Sequence, residues 1–535
     1  MNLLRQQSGC AHPSSWRTVW QAKAVWLAWV GTLTAVSLAQ DRLDEEVARW
    51  LAQEHLQTAH VGWLFVELES GRVVLQRDSG KLFVPASTTK LFSVAAALDT
   101  LGADYRFRTP VVRRGPVNDA GELDGDLILV ASGDLTLGGR STASGEIAWR
   151  DVDHTYANWS NDAELTDEDP LAGLDDLARQ VAAAGIRTVR GDVLIDDRLF
   201  QPTTGSGSGP QRVTPILVND NVIDVTFTPT QPQQPAHVRW RPQTDWIEVQ
   251  TEVQTIEPGG TLETWLQWAS PRRLVVRGKL PAGHKPLVRI AEVPDPVLFA
   301  RALFMEALRR HGVTVMTPLA EAPPPTRLPP REEIARLPQV AQLVSPPFSE
   351  NARLILKVSH NLHASTLPLL VAAHHGEQTL AEGLRRQRDF LIRAGVTAAD
   401  TLSFGGGAGG ARADHVTPRA TVELLQAMAR RPDFAVFERA LPVLGVDGTL
   451  SKAVAPDSPA RGKVKAKTGT LTWENLLWGR TLCTSKALAG YLTTAQGQRL
   501  AFAAFINGVH LKDGIDTARL GRDLGRLCEL VHVHR

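Results

Sequence analysis

The chain has 535 residues, too many for one hydrophobic core, so two or more domains are expected. Its composition, 43% hydrophobic and 21% charged, is that of an ordinary globular protein. A formal net charge of +1 with no basic stripe gives no reason to expect nucleic acid as a partner.

The N-terminus carries a processing signal. Arg5, Arg17 and Lys23 precede an apolar run from Ala24 to Leu38, and Ser37-Leu38-Ala39 before Gln40 suits a signal peptidase. Residues 1–39 are therefore read as a secretory signal. The run falls short of the ~20 apolar residues that a spanning helix needs. The mature chain is expected outside the cytoplasmic membrane, in the periplasm, with no stable span after cleavage. Cys10 would leave with the signal. Cys483 and Cys528 remain, and one disulfide or two separate thiols both suit an oxidising compartment. No H-E-x-x-H pattern occurs, so no metal and no cofactor are expected. His374-His375 and His532-Val533-His534 read as solvated histidines.

After the signal, Leu43 to Leu56 has the apolar spacing of a helix, and Val61–Val66 with Val73–Leu75 reads as a hairpin turning at Ser70-Gly71. Pro85 precedes a helical stretch from Thr88 to Leu101, stopped by Gly102. Ser87-Thr88-Thr89-Lys90 opens it, and the i,i+3 spacing sets Ser87 and Lys90 on one face. By position alone Ser87 would serve equally well as an N-cap. Asp126–Val130, Asp192–Ile195, Val222–Phe227 and Trp246–Val253 read as strands and Leu174–Ala184 as a helix, with proline-rich joints at Pro229–Pro235 and Pro323–Pro330. This long stretch, about 106–335, is expected to be inserted into a catalytic domain formed by 40–105 and 336–535. In the last part, Ala352–Leu370 reads as one helix holding Ser359-His360-Asn361. Lys463–Thr468, Ala487–Thr493 and Leu500–Ile506 alternate as strands, and Arg519–Val531 reads as a closing helix. Helices on an antiparallel sheet built from both chain ends make an α+β arrangement.

Three short motifs thus fall in order: Ser87-Thr88-Thr89-Lys90, Ser359-His360-Asn361 and Lys467-Thr468-Gly469. Each alone recurs by chance, but together they form the S-x-x-K, S-x-N, K-T-G set of penicillin-recognising serine enzymes. A serine hydroxyl needs a base, and Lys90 is the residue placed to serve Ser87. A free lysine, pKa ~10.4, is neutral in only about one molecule in a few thousand at pH 7. Burial and a second cation, Lys467, would both depress that value. Ser359 can relay a proton to the leaving amine, and Asn361 can hold Lys90 and the substrate amide. Lys467 and Thr468 suit a substrate carboxylate. Gly469 allows close backbone approach, and the backbone N–H groups of Ser87 and Thr470 would form an oxyanion hole.

The sequence resembles the D-alanyl-D-alanine carboxypeptidase/endopeptidases of the class C penicillin-binding proteins, the penicillin-binding-protein 4 type. Pro85–Leu91, Gly125–Asp134, Gly191–Asp197, Leu441–Leu450 and Ala466–Thr472 carry the likeness. It implies a penicillin-recognising serine-transferase (β-lactamase/transpeptidase-like) domain with two inserted, mostly β modules. It also implies a serine DD-carboxypeptidase, with DD-endopeptidase activity as a companion, on peptidoglycan peptides ending in D-Ala-D-Ala, and β-lactam antibiotics acylating Ser87. A β-lactamase-like hydrolase and a catalytically weak cell-wall binding protein are the alternatives. Three departures from the family stand out: the glycine run Gly405–Gly410 in place of an Asp-Gly-Ser-Gly type loop, Ser365 where a glutamate is common, and an insertion from Trp473 to Ser485. Asp196 lies where some members place a carboxylate facing the stem peptide, although an exposed strand-end aspartate explains it as well.

Overall fold

A computed structural model describes residues 41–535. The signal and Cys10 lie outside the described residues. Strands Val464–Asn475, Arg480–Thr493, Arg499–Asn507, His60–Glu67 and Val73–Arg77 lie side by side in that order, antiparallel throughout, with Val509–His510 added at the edge. Both chain ends therefore build one sheet, as the sequence led us to expect. The Leu500–Ile506 run is nearly all apolar because the sheet is covered on both faces. Ala501, Ala503 and Phe505 point with Leu64 and Val66 into a core shared with helix Thr89–Leu101. Leu500, Phe502 and Ile506 point the other way with Trp63 and Phe65, under the closing helix Thr517–His534.

Four strands, Gln339–Val344, Arg108–Arg114, Asp126–Val130 and Val193–Asp196, make a second sheet in that order. Strand Gln339–Val344 lies past the expected return at 336, yet it pairs with Arg108–Arg114. A separate core gathers here around helices Ala172–Ala183 and Pro296–Arg310. The second helix, which buries Phe299, Leu303 and Phe304, is absent from the strand-dominated reading of the sequence. Asp295 caps it and Pro296 opens it, both ordinary start signals.

Two expectations need correction, the single helix Ala352–Leu370 and the solvated His532, and the open choice between a disulfide and two thiols is decided. Ala352–Leu370 is two helices, Phe348–Val358 and Asn361–His374, because Ser359 adopts the left-handed conformation (φ 63°) and the His360 side chain caps the second helix. Cys483 and Cys528 are both buried free thiols, packed in the same apolar core and not bonded to each other. His532 is buried, its Nδ1 2.7 Å from the Thr493 carbonyl, since it lies on the face that the closing helix turns to the sheet; His374 and His375 are exposed. The segment from Trp473 to Ser485 prolongs the hairpin of the first two strands and leaves Leu476, Leu477 and Trp478 exposed near its tip. Among the described residues no helix is long and apolar enough to cross a membrane.

Candidate active site

Ser87 sits in a 3-10 turn, Ala86–Thr88, that runs straight into helix Thr89–Leu101. Its predecessor Ala86 has φ 45°, a conformation that costs of order 1–3 kcal/mol for a residue with a side chain. The surroundings hold the turn in that shape. A Cβ on Gly409 (φ 91°) would lie 1.9 Å from the Ala86 carbonyl oxygen, and one on Gly469 would lie 2.6 Å from that of Pro85. Gly469 therefore lets the Lys-Thr-Gly strand approach the serine turn itself. Within the run Gly405–Gly410, Gly409 is the glycine that meets this turn, while a Cβ on Gly407 would lie 2.1 Å from the Ala364 carbonyl oxygen and Gly406 faces open space. Gly409→Val is expected to cost more than about 2 kcal/mol of stability and to slow acylation, measured by thermal unfolding and stopped-flow with a chromogenic β-lactam.

Lys90 is fully buried, and its Nζ donates to Ser87 Oγ at 2.8 Å, Asn361 Oδ1 at 2.7 Å and the Ala408 carbonyl at 2.8 Å. Three acceptors match its three N–H bonds. Burial pulls its pKa down to about 7, against an upward pull from the Asp414 carboxylate. Lys467 is also wholly buried and its pKa lies well below the usual lysine range, through burial first and then Lys90 and Lys486. Burial, rather than a charged Lys467, is thus what tunes Lys90. Lys467 Nζ donates to the Thr468 carbonyl at 2.7 Å, Thr468 Oγ1 donates to Thr449 Oγ1 at 2.8 Å, and Lys486 Nζ donates to Thr470 Oγ1 at 2.9 Å.

The structure thus brings Ser87, Lys90 and Asn361 into direct contact and sets Lys467, Thr468, Gly469 and Thr470 on the strand beside them. Ser359 stands apart from Lys90's three bonds, and its carbonyl accepts from Tyr156 Oη at 2.6 Å. Asn361 Nδ2 donates to the Ser208 carbonyl at 3.0 Å and contacts Tyr156 Oη at 3.3 Å, so the inserted region reaches into the site. Asp196 is buried and paired with Arg198 at 2.7 Å, away from this group. Ser365 Oγ lies 3.4 Å from the Ser206 N–H of the same inserted loop. On the other side Arg412 stacks on Trp473, 5.0 Å from the ring centre, joining the prolonged hairpin to the residues that follow the glycine run.

Sequence reading missed Ala408, Asp414, Tyr156, Ser208 and Lys486. Asp414 had a signal, being the first acid after the glycine run. Its two oxygens accept from the N–H groups of Gly405 and Ala411, closing that loop. Because its carboxylate raises the Lys90 pKa, Asp414→Asn is expected to move the midpoint of the acylation pH profile downward by about one unit. An unchanged midpoint would show that Asp414 only closes the loop.

The chain matches the model of the D-Ala-D-Ala carboxypeptidase 3 (S13) family over residues 43–522. It is 29% identical over 488 residues to a D-alanyl-D-alanine carboxypeptidase from an Actinomadura species, covering 87% of this chain and 81% of that protein. It is 22% identical to the carboxypeptidase DacB of Haemophilus influenzae, covering 86% of this chain and 88% of that one. The crystal structure of penicillin binding protein 4 from Haemophilus influenzae shares the fold, with TM-score 0.65 and 21% identity over 88% of this chain and 96% of that chain. The chain belongs to the D-Ala-D-Ala carboxypeptidase 3 (S13) family and is a serine-type peptidase.

Proposed function

We propose that Ser87 is the nucleophile of a periplasmic carboxypeptidase that removes the terminal D-alanine of peptidoglycan stem peptides. The observation that carries this reading is Lys90, buried, with a pKa near neutrality and 2.8 Å from Ser87 Oγ. Neutral Lys90 takes the Ser87 proton as Oγ bonds to the carbonyl carbon of the penultimate D-alanine. The C–N bond then breaks, the leaving amine receives that proton, and water hydrolyses the ester with Lys90 again as base. The N–H groups of Ser87 and Thr470 face the oxyanion. The terminal carboxylate docks on Lys467 and Thr468. Lys467, held below its usual pKa by burial, gains its proton as the anion arrives, because an opposite charge favours the ammonium form. Asn361 orients Lys90, and Ser359 passes the proton to the leaving group.

The same acyl-enzyme serves endopeptidase cleavage of D-alanyl cross-links, where a longer amine leaves. A Haemophilus influenzae relative has been crystallised with a β-lactam, which supports β-lactam acylation here. The test is intact mass of the chain from Gln40 after benzylpenicillin, with the adduct mapped by peptide digestion, beside D-alanine release from a stem pentapeptide. A stable adduct on the Ser87 peptide together with D-alanine release supports the reading. Destroyed penicillin without an adduct would indicate a β-lactamase, and neither adduct nor turnover would indicate a binding protein.

A further inference from the structure

Beneath the Ser359–Asn361 corner lies a buried group of side chains that the proposed chemistry does not use. His360 and His363 come from the second motif and the helix it opens, Asp153 and His154 from the turn before Tyr156, and Asp220 and Asp224 from the segment leading into strand Val222–Thr228. None of their side chains is more than 4% exposed. Three imidazoles converge on Asp220: His363 Nε2 lies 2.6 Å and His360 Nε2 3.4 Å from Oδ1, and His154 Nε2 lies 2.8 Å from Oδ2. Asp153 Oδ1 stands 3.8 Å from both His154 Nε2 and His360 Nε2.

Two further observations point to a ligand. His360 Nε2 makes no hydrogen bond among the described residues, although its ring is fully buried and aimed at these carboxylates. Leaving such a nitrogen unpaired costs about 1–3 kcal/mol. His154 Nδ1 lies 2.5 Å from Asp224 Oδ1, and its Nε2, 2.8 Å from Asp220 Oδ2, faces the cluster. That carboxylate backing is the usual support of a metal-binding histidine. Charge agrees as well. Among the described residues the three aspartates pair with two arginines, Arg140 with Asp153 and Asp220 and Arg241 with Asp224, so the carboxylates outnumber these fixed cations by one and a dication is accommodated.

We propose that Asp220, His360 and His363 bind a zinc ion, with the adjoining Asp153–His154 pair supplying the fourth ligand. Imidazole and carboxylate donors suit zinc, whereas calcium and magnesium take oxygen ligands. Tetrahedral zinc with arms of about 2.0–2.1 Å sets its donors roughly 3.4 Å apart; the observed separations, 2.6–3.8 Å, bracket that spacing. Ligation through Nε2 places the His360 proton on Nδ1 and releases the long 3.3 Å contact that Nδ1 makes with the His363 N–H. The ion pins the corner carrying Ser359 and Asn361 to the inserted region. Its role is therefore positional, through Asn361 to Lys90.

The test is zinc content of the chain from Gln40, purified without chelator, by elemental mass spectrometry. It is paired with visible absorption after cobalt(II) exchange and with thermal unfolding before and after chelation. The expected result is about one zinc per chain, cobalt bands between 500 and 700 nm on the order of those of tetrahedral sites, and a melting temperature that chelation lowers and zinc restores. His363→Gln and Asp220→Asn should each lose the zinc and the cobalt bands; circular dichroism checks that they fold. Less than about a tenth of an equivalent after zinc incubation and desalting, or full zinc retained by both folded variants, overturns the proposal. The penicillin adduct on Ser87 is scored separately, so failure of the metal site does not imply failure of the acyl-enzyme reading.

Discussion

Ser87→Ala is expected to abolish both the penicillin adduct and D-alanine release, with kcat falling on the order of 10⁴–10⁶-fold. The change removes one oxygen that accepts from Lys90 Nζ and leaves Lys90 its bonds to Asn361 and Ala408. Ser87 is half-buried at the open end of its turn, so the fold should survive, and unfolding within about 1 kcal/mol of the parent checks this. Substrate binding should persist too, since Lys467, Thr468 and Thr470 are untouched. A residual adduct elsewhere on the chain would move the nucleophile to another residue.

Lys90→Ala is expected to cost about 10³-fold or more in acylation, roughly the advantage of a base that is half neutral at pH 7 over an unperturbed lysine. The parent enzyme supplies the matching pH signature. A pKa pulled down by burial to about 7 means that Lys90 is mostly protonated below pH 7 and mostly neutral above it. Acylation by a β-lactam whose own charge is constant should fall tenfold per unit below pH ~6 and reach a plateau above pH ~8. Lys90→Ala should lose that limb along with the rate. A profile in the parent centred near pH 10 would mean that the lysine is not desolvated as the structure has it, and the proposed base would fail with it.

Much of the site is legible in the order of three motifs, because nucleophile, base and carboxylate clamp each need a particular residue type at a particular spacing. Period-two alternation likewise places the strands of the main sheet, and i,i+3 spacing places Lys90 beside Ser87. What escaped was of another kind. The break at Ser359 carries no glycine or proline, and apolar residues on both sides keep helical spacing, so only the three-dimensional path shows that the motif sits at a corner. Asp414 and Ala408 act on Lys90 through a loop that looked like lost chemistry.

The buried histidines show the same limit. His360 and His363 stand three apart in the sequence, a spacing that by itself is as good for an N-cap as for a metal. Their aspartate partners come from the inserted region, far away along the chain. Residue type and local spacing, then, determined the fold class and pointed to the proposed acyl-enzyme chemistry and the residues proposed to perform it. Tertiary structure alone decided how strongly Lys90 is desolvated, why Gly409 is needed and what lies under the second motif. The physical reason is common to all three: desolvation, close approach and convergent charge depend on groups brought together across hundreds of residues, which no local pattern encodes.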